Sequence, residues 1–307
     1  MRIAILGPGG VGGYFGGRLA AAGEDVTFIA RGAHLKAIRD TGLRVESANG
    51  DFHVHPARAT DDPATVGPVD AVLFAVKLFD TEAAAEFARP LVGPDTVVVN
   101  LQNGVESEAI TAGILGPDRV MGGVAYIAAV IAEPGLVRQT GAFARLVFGE
   151  MDGTLSDRGR RLEDACRRAG IEATLSPQVQ VEIWRKFLML AAVSSITTAT
   201  RRPIGALRGD PDLRRLFADA IAEAAAVGRA SGVALPPDAE AATMTLLDGL
   251  PAPMVASMVH DLNAGRRLEL DRLGGAVVRL GRALGVPTPV HAALYAVLKP
   301  YSDGSPG

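Results

Sequence analysis

The sequence predicts an α/β protein in which a largely parallel, doubly wound sheet is followed by an all-helical C-terminal domain. Short runs rich in β-branched residues alternate with Ala-rich helical segments up to about residue 150, and a glycine-rich turn follows the first run. The strand signals stop after about residue 177. Alternation of strand and helix is typical of parallel sheets covered by helices. The change near Pro177 predicts two domains, 1–177 and 178–307.

The strands of the first domain are predicted from short apolar runs at 2–6, 25–29, 71–75, 96–100, 120–126 and 146–148. Runs 72–76 and 97–99 are apolar throughout, as expected for strands that are buried on both faces. Residues 43–49 and 52–55 indicate a hairpin or an excursion at the sheet edge. Helices are expected between strands, for example over 11–22 and 81–88.

The second domain is predicted to contain helices over 178–198, 211–231, 253–263, 269–284 and 291–298. The second of these has clear end signals, with Asp210 as the N-cap, Pro211 at the first position and Gly232 as the stop. Its Ala-rich stretch over 218–226 suits packing within the domain or across a homodimer. Both alternatives stay open at the level of the sequence.

The composition excludes several classes of protein. The 307 residues include 31 basic and 34 acidic side chains, a net charge of −3, and 48% are hydrophobic. A chain this apolar is not disordered, and a nearly neutral one has no general basic field for nucleic acid. No apolar run is long enough for a signal peptide or a membrane span. We expect a soluble cytoplasmic protein.

Metal and thiol chemistry are not indicated. The only cysteine, Cys166, is expected to be a small buried hydrophobe, and a single cysteine suggests a reducing compartment. The five histidines are scattered along the chain, and no cysteine or carboxylate set completes a metal site beside them. We therefore expect no bound metal.

The glycine-rich turn predicts a dinucleotide site of the Rossmann type. A G-x-G-x-x-G motif follows the first strand and opens the first helix; its residues are Gly7, Pro8, Gly9, Gly10, Val11 and Gly12. Glycine permits the tight turn, the approach of a pyrophosphate to the backbone, and close packing of helix on strand. The helix N-terminus offers free N–H groups to the phosphates. The alternative is an ordinary tight turn between strand and helix.

The end of the second strand favours NADP(H) over NAD(H). An NAD site usually carries an acidic residue there, which binds the ribose 2′-hydroxyl. This chain instead has Arg31, whose guanidinium suits a 2′-phosphate; the alternative is an arginine that merely faces solvent. Lys77, at the end of the third long strand, is a candidate partner for the same phosphate region.

At this point the chain resembles the ketopantoate reductase (2-dehydropantoate 2-reductase) family. The resemblance runs in order through the glycine turn, Arg31, Lys77, the Asn103-Gly104 pair, the segment 184–187 and the stretch 257–269. It implies a Rossmann domain followed by a helical domain like the C-terminal domain of 6-phosphogluconate dehydrogenase. It also implies an active site between the two, and reduction of a 2-keto acid by NADPH in pantothenate biosynthesis.

The resemblance further implies the roles of individual residues. Lys186 matches the general acid of the family, and Glu269 matches a glutamate that contacts the reacting oxygen and orders the lysine. Ser257 matches a serine that binds the substrate, and Asn103 an amide that contacts both nicotinamide and substrate. From the residues alone, the alternative for Glu269 is a helix-capping or ion-paired glutamate beside two arginines, and the alternative for Asn103 is a common turn residue.

The chain departs from the family at three positions that are commonly asparagine. Leu190, Ser194 and Ile204 occupy them, and Ser194 remains a candidate substrate ligand. Two of these replacements make the pocket more apolar, and an unpaired substrate hydroxyl there costs about 1–3 kcal/mol.

Three functions therefore compete at the level of the sequence. The first is NADPH-dependent reduction of ketopantoate, and the second is reduction of a less polar 2-keto acid. The third is a non-catalytic NADP(H)-binding sensor. The joint presence of the candidate lysine, glutamate, serine and asparagine argues against the sensor.

Overall fold

The computed structural model describes residues 1–304, without the side chain of Ala142. Within this range the chain forms two compact units. The first unit comprises Met1–Gln102 and Ser107–Val179, and the second comprises Asn103–Glu106 and the chain from Gln180 onward. The short segment Asn103–Glu106 thus interrupts the first unit and belongs to the second. No helix of the described residues is both long and apolar enough to cross a membrane.

A mixed sheet with ten strands in the described chain forms the centre of the first unit. The strands are β1 (Arg2–Leu6), β2 (Asp25–Ile29), β3 (Leu43–Glu46), β4 (Phe52–Val54), β5 (Arg58–Thr60), β6 (Ala71–Phe74), β7 (Val97–Asn100), β8 (Val120–Glu133), β9 (Leu136–Glu150) and β10 (Glu172–Leu175). Their order is β4-β3-β9-β8-β7-β6-β1-β2-β5, and β10 pairs with β9. Five helices belong to this part of the chain: α1 (Gly10–Ala21), α2 (Gly32–Thr41), α3 (Thr81–Ala88), α4 (Ser107–Leu115) and α5 (Asp157–Arg168).

The predicted parallel strands are confirmed. β1 and β2 have the predicted bounds, and β1 pairs in parallel with both β2 and β6. Every residue of β6 and β7 is buried, as the apolar runs indicated. The hairpin predicted from residues 43–49 and 52–55 is present as the antiparallel pair β3 and β4 at one edge of the sheet.

Two strand predictions are wrong in length. Residues 120–126 and 146–148 are only the inner ends of β8 and β9, which form one long antiparallel hairpin. The outer part of this hairpin is largely exposed, with Val130 and Ile131 about half accessible, so it lacks the buried apolar signature. The short strands β5 and β10 carry too few apolar residues to stand out, and the sequence reading missed them.

Seven helices build the described part of the second unit: α6 (Val179–Thr200), α7 (Ile204–Arg208), α8 (Pro211–Ala230), α9 (Ala239–Gly249), α10 (Ser257–Asn263), α11 (Gly274–Leu284) and α12 (Pro289–Leu298). The predictions for α6, α8 and α12 are correct within two residues. The face of α8 that includes Ala220, Ala224 and Ala225 is buried within the single chain.

The predictions for α10 and α11 are wrong at their starts. Helix α10 begins at Ser257 because the preceding loop pairs with α7: the Ile204 N–H donates to the Met254 carbonyl at 2.9 Å. The predicted helix over 269–284 is a short 3-10 turn, Leu270–Arg272, followed by α11. The backbone leaves helical geometry at Leu273 (φ −107°, ψ −99°), which separates the two pieces.

Candidate functional site

The glycine turn has a conformation that only glycine adopts easily. Gly7 has φ +83°, and its N–H donates to the Ile29 carbonyl at 3.2 Å, which joins the turn to β2. The Gly9 N–H then donates back to the Gly7 carbonyl at 2.7 Å. These contacts turn the chain from the end of β1 into the start of α1.

The first turn of α1 is suited to bind an anion. Gly9 is the N-cap, has no side chain to occupy the free donors, and no acidic residue lies in the first turn. The first N–H groups of a helix have no intrahelical acceptor, and the helix dipole adds partial positive charge at that end. A phosphate is therefore the kind of group that this turn can hold.

Packing distinguishes the glycines of the motif. A Cβ on Gly10 would lie 2.0 Å from the carbonyl oxygen of Ala129, and one on Gly12 would lie 2.4 Å from that of Gly7. A Cβ on Gly9 would have no atom within 4 Å. Gly10 and Gly12 are thus required by the protein's own packing, whereas the open space at Gly9 admits a ligand to the backbone. The free N–H groups at the start of α1 and the open space at Gly9 both fit a dinucleotide.

Arg31 and Lys77 follow the strands on either side of β1. Arg31 caps the start of α2 directly after β2, is exposed, and has its guanidinium carbon 5.2 Å from the centre of the Phe87 ring. Lys77 is exposed and precedes a 3-10 turn, Leu78–Asp80, after β6. Because β2, β1 and β6 are adjacent and parallel, both cations follow the same edge of the sheet as the glycine turn.

Gln102 supports the Lys77 segment, and the sequence reading missed it. Its side-chain amide donates to the carbonyls of Val76 at 3.0 Å and Lys77 at 3.3 Å, and to the Thr81 hydroxyl at 3.0 Å. A single glutamine after a strand carries no signal in the sequence. Only the pairing of β6 with β7 shows what it holds.

In the second unit, the structure brings together two of the predicted site residues. The Lys186 ammonium on α6 donates to the side-chain oxygen of Asn103 at 2.7 Å. Burial lowers the pKa of Lys186 to about 8, because the charged form loses hydration. Lys186 is therefore a cation at neutral pH that releases its proton more readily than an ordinary lysine.

An ion-paired cluster holds the segment that carries Asn103. The Glu106 carboxylate accepts a hydrogen bond from the guanidinium of Arg279 on α11 at 2.5 Å. The guanidinium of Arg272 also lies near this carboxylate, with a nitrogen–oxygen distance of 3.9 Å. These contacts attach Asn103–Glu106 to the helical unit, in agreement with its assignment to that unit. The cluster was not predicted, because Arg279 and Glu106 are 173 positions apart in the chain.

Ser257 and Glu269, two further predicted site residues, also lie in the second unit. Ser257 is the exposed first residue of α10, and the residue before it, Ala256, donates its N–H to Thr197 of α6 at 3.4 Å. Glu269 is only 8% exposed, and its carbonyl accepts from Arg272 and Leu273, both at 3.1 Å.

The three positions that depart from the family have different surroundings. Leu190 is half-buried, and Ser194 is buried. Lys186, Leu190 and Ser194 follow one another at four-residue spacing on α6, so they share one helix face. Ile204 is fully buried at the start of α7. Among the described residues, no group of three or more histidine, cysteine or acidic side chains could hold a metal ion.

Two family models match the chain. The model of the N-terminal domain, "Ketopantoate reductase PanE/ApbA", matches residues 3–153. The model "Ketopantoate reductase PanE/ApbA C terminal" matches residues 178–302. Together they span both units, including the glycine turn and the helix that carries Lys186.

Individual proteins give the same result. A 2-dehydropantoate 2-reductase of Mesorhizobium japonicum is 33% identical, and the match covers 97% of each chain. The crystal structure of a PanE/ApbA family ketopantoate reductase from Ralstonia eutropha JMP134 superposes with a TM-score of 0.90 at 36% identity, over 98% of each chain. A D-mandelate dehydrogenase with NADH and anilino(oxo)acetate has the same fold, with a TM-score of 0.90 at 23% identity over 98% of each chain. The fold alone therefore does not select the substrate.

The contrast between Gly10 and Gly9 can be tested by two alanine variants. We expect Gly10→Ala to lower the melting temperature by roughly 3–10 °C, because the new methyl group overlaps the Ala129 carbonyl. Gly9→Ala should melt within about 2 °C of the wild type but bind a dinucleotide more weakly, because its methyl group occupies the open space. Thermal melting and titration with NADPH measure the two effects. Equal melting temperatures for the two variants would contradict this account of the turn.

Proposed function

The chain belongs to the ketopantoate reductase family, and from that premise we propose that it reduces 2-dehydropantoate (ketopantoate) to pantoate with NADPH in the cytoplasm. Pantoate formation is a step of pantothenate biosynthesis. The observation that carries the proposal is the hydrogen bond from Lys186 to Asn103 at 2.7 Å, within the unit that the C-terminal family model covers. The hydrogen bond supports a role for Lys186 as a proton donor that an amide holds in place, and the reduction of a ketone requires such a donor.

Reduction of a ketone needs a proton donor beside the carbonyl oxygen. NADPH, when bound, would supply the hydride for the keto carbon, and the carbonyl oxygen would then gain negative charge. In the proposal, Lys186 stabilises this charge and donates its proton to the oxygen, which completes the 2-hydroxy acid. An ammonium group has three N–H donors, so hydrogen bonding to Asn103 is compatible with donation to a substrate oxygen as well.

The pKa of Lys186 suits this role. A general acid is most effective when its pKa lies near the working pH, and the pKa of about 8 leaves Lys186 mostly protonated at neutral pH. The family resemblance supports the remaining assignments. Glu269 orders the lysine at the reacting oxygen, Ser257 and Ser194 bind the substrate, and Asn103 also contacts the nicotinamide.

The first unit supplies the proposed cofactor site. The backbone of the motif binds the pyrophosphate; its residues are Gly7, Pro8, Gly9, Gly10, Val11 and Gly12. Arg31 binds the 2′-phosphate, and Lys77 adds positive charge to the same region. The exposure of both cations beside the glycine turn supports NADPH as the cofactor.

A less polar 2-keto acid is the second candidate substrate. Leu190 favours it, because this side chain lies one helical turn from Lys186 on the same face of α6, where the family commonly has an asparagine. An apolar side chain there cannot pair with the hydroxyl group of ketopantoate. The contact between Lys186 and Asn103 argues against the third candidate, a non-catalytic sensor, because a sensor has no use for a half-buried lysine of lowered pKa.

Loss of NADPH absorbance at 340 nm with ketopantoate tests the activity. We expect kcat/KM to be constant at lower pH and to fall above a pH of about 8, because only the protonated Lys186 can donate. Lys186→Ala should lower kcat by about 10²–10⁴-fold. Lys299→Ala, which removes an exposed lysine of the same unit, should keep full activity. Unchanged turnover in Lys186→Ala would disprove the general acid.

Arg31 is expected to set the preference for NADPH. Arg31→Ala should weaken NADPH binding by roughly 10- to 100-fold, because charge-assisted hydrogen bonds to the 2′-phosphate are lost, while NADH binding stays nearly constant. Arg89→Ala is the matched control, since Arg89 is exposed and paired with Glu86. Fluorescence titration with both cofactors measures the ratio. A ratio that Arg31→Ala leaves unchanged would refute this cofactor assignment.

A Leu190→Asn variant separates the two candidate substrates. If the apolar side chain selects a less polar acid, the wild type should turn over branched 2-keto acids faster than ketopantoate. The variant should then shift the ratio of kcat/KM toward ketopantoate by about 10-fold, because the new amide can pair with its hydroxyl. A wild type that already prefers ketopantoate would favour the first substrate. Absence of turnover on any 2-keto acid, together with tight NADPH binding, would favour the sensor.

A further inference from the structure

His34 connects the glycine turn to a distant hairpin in the first unit. It lies on α2, three residues after Arg31, and is half-buried. Its Nε2 is 2.9 Å from the carbonyl oxygen of Pro8 in the glycine turn. Its Nδ1 is 3.0 Å from the backbone nitrogen of Gly135, in the turn between β8 and β9. One imidazole ring therefore contacts both turns.

The two contacts determine which ring nitrogen carries the proton. The Gly135 N–H is a donor, so Nδ1 accepts and is unprotonated; the Pro8 carbonyl is an acceptor, so Nε2 carries the hydrogen. An imidazolium would place two N–H groups against each other at Gly135. Desolvation by burial lowers the pKa of His34, although the bond to Pro8 acts in the opposite direction. The ring is thus neutral at pH 7 and donates to Pro8.

The Gly135 end of this connection is firmly anchored. The Gly135 carbonyl accepts from the Arg44 N–H at 2.9 Å, and a Cβ on Gly135 would lie 2.9 Å from the Cβ of Ala37 on α2. Gly135 also has φ +80°, so another residue would be strained there. His34 is therefore held from one side while its other nitrogen faces the glycine turn.

The bond to Pro8 orients one peptide unit of the glycine turn. This unit consists of the Pro8 carbonyl and the Gly9 N–H, which donates to Gly7 at 2.7 Å. Both polar ends of the unit consequently have partners inside the protein, one residue before α1 begins at Gly10. The carbonyl oxygen stays at His34, and the first N–H groups of α1 remain available to an anion.

We infer that His34 is a positioning residue for the dinucleotide, which holds the Pro8 carbonyl away from the cofactor phosphates. The inference rests on the proposed function, because it takes the glycine turn as the pyrophosphate site. Without the N–H donor of His34, only the bond from the Gly9 N–H to Gly7 holds the peptide, and Gly9 has no side chain to restrict its rotation. A carbonyl oxygen turned toward the pyrophosphate would repel it.

Three variants of His34 test this inference by NADPH titration. His34→Ala should weaken NADPH binding by about 5- to 10-fold, the effect of one lost hydrogen bond. His34→Gln reaches the position of Nε2 with an amide N–H and should restore most of the affinity. His34→Asn ends at the position of Nδ1, does not reach Pro8, and should resemble His34→Ala. KM for NADPH should rise in the alanine and asparagine variants and stay near the wild-type value in the glutamine variant, while kcat at saturating NADPH stays within about 2-fold in all three.

A second ligand separates the glycine turn from Arg31. Adenosine 2′-monophosphate carries the phosphate proposed for Arg31 but has no pyrophosphate, so its affinity should be the same in wild type and His34→Ala. The matched control is His53→Ala, because the Nε2 of His53 also donates to a backbone carbonyl, that of Thr41, at 2.7 Å. This variant should bind NADPH like the wild type.

The outcomes that overturn the inference are specific. They are unchanged NADPH affinity in a folded His34→Ala variant, equal weakening of both ligands, or rescue by asparagine and not by glutamine. If His34→Ala does not fold, the glutamine and asparagine variants decide alone. A wild type that does not bind NADPH would overturn the proposed function together with this inference. Binding of NADPH that is independent of His34 would overturn the inference alone.

Discussion

Burial of the parallel strands on both faces is the constraint on which the rest of the first unit depends. β6 and β7 have no exposed residue, and β1 has one, at its first position. When strands are buried in this way, polar side chains can lie only beyond the strand ends. In a parallel sheet the carboxyl ends of the strands lie at one edge. The glycine turn follows β1, Arg31 follows β2, and Lys77 follows β6. The candidate cofactor-binding residues therefore lie at one edge because of how the sheet is buried.

The second unit uses burial for a different purpose. Its helices desolvate the ammonium group of Lys186 and lower its pKa to about 8, while Asn103 supplies one compensating hydrogen bond. Keeping a desolvated lysine charged costs stability, and perturbed pKa values of this kind are concentrated at functional sites. The ion pairs of Glu106 hold the asparagine in place from the side of α11.

The sequence predicted the fold class and the parallel core because those features repeat locally. Alternating apolar runs identified β1, β2, β6 and β7, and the cap signals of α8 placed its start correctly. The outer parts of β8 and β9 were not found, because an exposed antiparallel hairpin does not need continuous apolar residues. The early start predicted for α10 failed for a related reason: hydrogen bonds to α7, some fifty positions earlier, override the local tendency to continue the helix.

The sequence by itself determined the glycine turn, the cation after β2 and the identity of the candidate lysine, because each depends on neighbouring residues or on a motif. Only the tertiary structure decided what supports them. His34 contacts Gly135 across 101 positions, Lys186 contacts Asn103 across 83, and Arg279 contacts Glu106 across 173. Side chains this far apart meet only after the chain has folded. The tautomer of His34 follows from its two contacts, and the lowered pKa of Lys186 follows from burial. Neither the contacts nor the burial can be deduced from a pattern along the sequence.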